Sequence, residues 1–115
     1  MADKNLTQEK IDFEDVTIES SGTKSTSVDL RGMTLCGFYL PASFTGTAIT
    51  FEASADNSTY LPVQDGDGAA ISKTVAQGQY IKLDPADFAG IQFIKLVSGS
   101  TEGAERTITL AIRQV

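Results

Sequence analysis

The 115-residue chain predicts an all-β fold, an antiparallel β-sandwich of jelly-roll type with about eight or nine short strands and one short helical turn near 85–89. Three observations predict it. Apolar and polar residues alternate with a period of two through several segments, setting one row on a core and the other in water. Clusters of Gly, Asn, Asp, Ser and Pro interrupt those segments at short intervals. Helix start and stop chemistry is convincing at one place only, Asp84-Pro85 followed by Gly90.

Residues 1–10 hold Leu6 as the one side chain worth burying, and are expected to form an arm that is flexible or laid against a neighbour; residues 11–115 form the single domain. The first strand, from Ile11 to Ser20, contains Ile11, Phe13, Val16 and Ile18. Its apolar spacing slips once at Glu14-Asp15, as a bulge or bend would make it do. A turn over residues 21–26 leads to a short strand at 27–30. Residues 33–40 are apolar on both faces, which suits a central strand or half of an interface. From Thr47 the alternation is clean: Thr47, Ile49, Phe51 and Ala53 share one face, and Ala48, Thr50, Glu52 and Ser54 the other. Asp56-Asn57 supplies a hairpin turn, and Pro62 marks the return strand as an edge or a bulge, since proline has no N–H for a ladder. Short strands are expected around 69–75 and 80–83. Residues 91–97 are again apolar on both faces, and Ile108, Leu110 and Ile112 alternate with polar or small residues in the last strand.

Composition removes several function classes. The net charge is −6, of which residues 1–20 carry −4 (six acids, two bases) and the remainder −2 (nine acids, seven bases). With no basic cluster to offset that balance, nucleic-acid binding is not expected. Nothing approaches the run of about 20 apolar residues that a membrane span requires, so no membrane partner is expected, and the start lacks a secretory pattern. Cys36 is the single cysteine and the chain has no histidine, so an activated thiol nucleophile is not expected; Cys36 reads as a small packed residue.

The loop Asp65-Gly66-Asp67-Gly68 offers oxygen ligands on a permissive turn, but Ala76 stands where a calcium loop that began at Asp65 would place its closing glutamate. A surface turn accounts for the same residues. The pairs among Asp12, Glu14 and Asp15, and Asp84 with Asp87, lack apolar neighbours that would raise a carboxyl pKa as glycoside chemistry requires. No catalytic, cofactor or metal residue is therefore assigned, and the chain is read as a non-enzyme.

Residues 29–32 (DLRG), 37–57 (GFYLPASFTGTAITFEASADN), 60–63 (YLPV), 81–85 (IKLDP) and 94–100 (IKLVSGS) resemble a family of small proteins encoded by tailed bacteriophages. The hairpin Ser54–Tyr60 is similar to the Ser-x-Asp-Gly-x-aromatic hairpin of discoidin-type jelly rolls, with Asn57 and Tyr60 in place of the usual Gly and bulkier aromatic. The resemblance implies a structural component of the virion, foremost a capsid decoration or cement protein. It would be made in the bacterial cytoplasm and would bind the major capsid protein and further copies of itself. Leu6, Ile11 and Phe13, set apart from the main alternation, are the expected partner-binding residues. Two alternatives remain: a carbohydrate-binding module whose sugar platform would draw on Tyr39, Tyr60 and Tyr80, and a tail or connector component.

Overall fold

The computed structural model describes residues 11–114. It contains β1 (Ile11–Ile18), β2 (Val28–Asp29), β3 (Met33–Tyr39), β4 (Ala48–Ser54), β5 (Leu61–Pro62), β6 (Lys73–Thr74), β7 (Tyr80–Lys82), a 3-10 turn (Pro85–Phe88), β8 (Phe93–Ser98) and β9 (Arg106–Gln114). The strands form two antiparallel sheets, ordered β1-β9-β3-β7 and β2-β8-β4-β5, with β6 also pairing β4. The two segments that were apolar on both faces become β3 and β8, interior strands of opposed sheets. Pro62 sits on the edge strand β5, opposite Glu52. Among the described residues no helix is long and apolar enough to cross a membrane.

Both sheets turn one row inward. Val16 and Ile18, Leu35 and Phe38, and Ile108, Leu110 and Ile112 come from the first sheet; Ile49, Phe51, Ile94 and Leu96 come from the second. At the centre, the Phe51 ring meets Phe38 edge-on at 6.2 Å and Phe88 at 4.9 Å. Phe88 is delivered by the 3-10 turn, which starts where Asp84 accepts a hydrogen bond from the Ala86 N–H (3.0 Å) and stops before Gly90 at φ 87°. The Thr34 hydroxyl, fully buried, donates to the Pro85 carbonyl at 2.7 Å and ties the turn to β3.

The expected slip in β1 is not a bulge. The β1–β9 register runs unbroken from Ile11↔Arg113 to Ile18↔Arg106. Ile11 and Phe13 instead point to the outer face of the sheet, and Val16 and Ile18 to the core, so the strand exchanges its apolar face midway. A bulge does occur, in β3, where the register with β9 shifts between Leu35 and Gly37. The extra residue is Cys36, whose carbonyl accepts the Leu83 N–H at 2.8 Å. The bulge lets Leu35 and Phe38 both face inward and sends Tyr39 outward.

The hairpin after β4 is held by its own side chains. Ser54 Oγ accepts from the N–H groups of Asp56 and Asn57, and Asp56 Oδ1 accepts from those of Ser58 and Thr59 at 2.9 and 3.0 Å. Asn57 takes the left-handed backbone that such turns require, φ 61°. Those backbone donors, with the Ser54 hydroxyl, hold the Asp56 carboxyl below its ordinary range.

Candidate functional site

The outer face of the first sheet is built from side chains that the register sets side by side. Phe13 pairs with Ala111, Ala111 with Gly37, and Gly37 with Lys82, all in one row across four strands. In the next row Asp15, Thr109, Tyr39 and Tyr80 follow one another, and Ile11 pairs with Arg113 on the other side. The middle of the sheet thus carries a methyl group and a glycine while its margins carry large side chains. The consequence is a trough of about 430 Å³, with Ala111 in its floor and Ile11, Phe13, Tyr39 and Tyr80 as walls.

The walls are apolar yet solvent-exposed: Ile11 42%, Phe13 54%, Tyr39 47% and Tyr80 43%. Together they present roughly 400 Å² of side-chain surface, the size of a patch that commonly has a function. The rings form a continuous series, Phe13 to Tyr39 at 6.5 Å and Tyr39 to Tyr80 at 4.4 Å. Neither pair is coplanar; the interplanar angles are 53° and 45°. Such tilted rings wall a slot rather than pave a platform.

Gly37 is required by the same arrangement. A Cβ there would clash with the Tyr80 hydroxyl and lie 2.7 Å from the Ile81 carbonyl oxygen, so only glycine lets the Tyr80 ring lie across β3. Burial raises the Tyr80 phenol above its ordinary pKa, with Tyr39 and Cys36 adding to the effect. Burial likewise raises the Cys36 thiol, against a smaller opposing pull from Arg113. The thiol stays protonated at neutral pH and is not an activated nucleophile. Lys82 and Arg113 rim the trough, and among the described residues neither is in an ion pair.

Of the predicted partner-binding residues, Ile11 and Phe13 lie together on this face, and Leu6 falls outside the described residues. Of the three tyrosines considered for a sugar platform, Tyr39 and Tyr80 meet here. Tyr60 does not: it hydrogen-bonds Asn57, and the Lys95 ammonium stands 4.4 Å from its ring centre. The rim cations and the floor leave no mark in the sequence, because they depend on pairings between strands at opposite ends of the chain. Asp65 spends one carboxylate oxygen on its own turn, accepting from the N–H groups of Asp67 and Ala69 at 2.8 and 3.0 Å. A second depression, about 520 Å³, lies beside Leu61, Pro62 and Ile91, and is lined by no charged or aromatic side chain.

Glu102 likewise gives no signal in the sequence. It is fully buried, and Oε1 accepts from the Thr45 N–H (2.9 Å) and Arg106 Nε (2.9 Å). Oε2 accepts from the Gly46 N–H (3.0 Å) and the Ser98 hydroxyl (2.9 Å). Burial pushes this carboxyl up, but the four donors outweigh it and hold the pKa below the usual glutamate value. With every lone-pair direction engaged, it staples the loop at residues 44–46 to β8 and β9.

No protein-family model matches the chain, and no curated protein matches it. Solved structures do. The SPBc2 prophage-derived protein YomS superposes with a TM-score of 0.54 at 17% identity, covering 89% of this chain and 93% of that one. A carbohydrate-binding module, CBM32-1 of a family 31 glycoside hydrolase from Clostridium perfringens, gives 0.47 at 18% identity, over 84% of this chain and 69% of that one. The Drosophila NLP core gives 0.43 at 12%, over 89% and 99%. The first is a shared sandwich fold; the other two are weaker likenesses.

Proposed function

We propose that the chain is a non-enzymatic structural protein of a bacteriophage particle, attached through subunit contacts as a capsid decoration or cement protein. The observation that carries this reading is the exposed apolar trough on the outer face of the first sheet, which begins at the residue where the arm joins the domain. A fold shared with a prophage-derived protein, and the sequence resemblance to small phage proteins, support it. Repeated copies on a symmetric shell multiply weak single contacts into firm attachment. The expected partners are the major capsid protein and neighbouring copies, with Leu6, Ile11 and Phe13 as contacts and the virion as the location.

The test is addition of the labelled protein to purified undecorated shells. The expected result is saturable binding at a fixed ratio to the capsid lattice, lost when Leu6, Ile11 and Phe13 are all replaced by serine. Absence of binding to shells, with label appearing on tails or nowhere, would overturn it. A carbohydrate-binding role is the second reading, favoured by the meeting of Tyr39 and Tyr80; the tilt of their rings counts against a flat sugar platform. A glycan array separates the two.

A further inference from the structure

The trough needs an occupant. Its four wall residues together expose roughly 400 Å², only part of it turned into the trough, against the ~800 Å² per partner that two folded domains bury in a stable interface. One extended segment fits that size better than a whole sheet face.

The chain supplies a suitable segment. Residues 1–10 lead into Ile11, itself a wall of the trough. Leu6 is the single large apolar side chain between Met1 and Ile11, with Asp3 and Glu9 three residues to either side. The segment is otherwise polar and balanced in charge, Asp3 and Glu9 against Lys4 and Lys10, so Leu6 is the group it offers to an apolar slot. Residues 7–10, Thr-Gln-Glu-Lys, include none of the Gly, Pro, Asn or Asp that a sharp reversal favours, so returning Leu6 to its own trough is disfavoured. Ten extended residues reach about 33 Å, enough to cross to an adjacent copy.

We infer that residues 1–10 of one copy occupy the trough of a neighbouring copy, with Leu6 seated over Ala111 among the walls Ile11, Phe13, Tyr39 and Tyr80. Arms exchanged in this way would link copies side by side on a surface. The inference rests on the proposed attachment by subunit contacts, and it adds where the arm goes.

Two full-length variants test it by complementation. Leu6→Asp spoils the arm and keeps the trough; Tyr39→Ser spoils the trough and keeps the arm. Sedimentation velocity should show the native protein associating as its concentration rises to about 1 mM, and each variant alone at least tenfold weaker. Mixed one to one, the variants should form a complex of one copy of each, and the Tyr80 resonances of Leu6→Asp should shift while those of Tyr60 do not. Phe13→Ser, at an exposed wall position, repeats the trough test should Tyr39→Ser fold poorly. A native protein that stays monomeric throughout, a Leu6→Asp variant that self-associates normally, or a mixture that yields no complex would each overturn the inference. If the mixture fails while shells still bind the native protein, the decoration reading stands and the arm exchange falls; complex formation without shell binding gives the reverse.

Discussion

Replacing Glu102 by Gln keeps the shape of the side chain and removes its charge. The four groups that Glu102 satisfies are all donors: two backbone N–H groups, the Ser98 hydroxyl and the Arg106 guanidinium. An amide can accept at one oxygen only, so its NH₂ must face two donors whichever way it is turned. Breaking one side of a buried ion pair costs about 3–5 kcal/mol. Arg106 retains 14% side-chain exposure, so water eases part of its loss and the lower end, about 3 kcal/mol, is expected. For a domain of this size that lowers Tm by roughly 12–20 °C. Urea and thermal unfolding at pH 7 measure the loss, and amide exchange at Thr45 and Gly46 should accelerate with it. The pH dependence follows from the lowered carboxyl. A folded pKa below the unfolded value of 4.5 gives stability fully present above about 4.5 and lost as pH falls through the folded pKa. The gap between native and Glu102→Gln proteins should therefore narrow in acid. Equal stability at pH 7, or a gap unchanged at pH 3, would refute the reasoning.

Three further perturbations separate the core from the outer face. Phe51→Ala removes the ring between Phe38 and Phe88 and should cost about 3–5 kcal/mol by chemical denaturation. Gly37→Ala drives a methyl into Tyr80 and the Ile81 carbonyl; an expected loss of about 1–3 kcal/mol should accompany release of Tyr80 from Tyr39, read from tyrosine ring resonances. Phe13→Ser, on the exposed half of β1, should alter stability by no more than about 0.5 kcal/mol while weakening binding to shells at least tenfold.

The alternation in β4 and β9 and the Asp84-Pro85 cap can be read directly, because each is local chemistry; Pro62 narrows its strand to an edge or a bulge, and the structure makes it an edge. The errors came from parity. A two-residue period changes phase either when one residue is inserted or when the apolar row moves to the other face, and sequence alone does not distinguish them. At Glu14-Asp15 the second cause operates. At Cys36 the first does, and it left no trace because residues 33–40 are apolar on both faces. Ile11 and Phe13 were legible as isolated apolar residues; their junction with Tyr39, Tyr80 and Arg113 needed pairings across nearly the whole chain. Glu102 sits in a polar loop where an acid signals solvent, and its burial depends on the loop at residues 44–46 arriving from elsewhere.

The change of face within β1 divides one strand between two kinds of selection. Val16 and Ile18 are bound to the interior and tolerate little drift, whereas Ile11 and Phe13 take no part in the core and pack only along the outer face. Substitutions in that leading half change the outer surface while the foundation stays put. Divergence can begin there without having to reinvent the scaffold beneath.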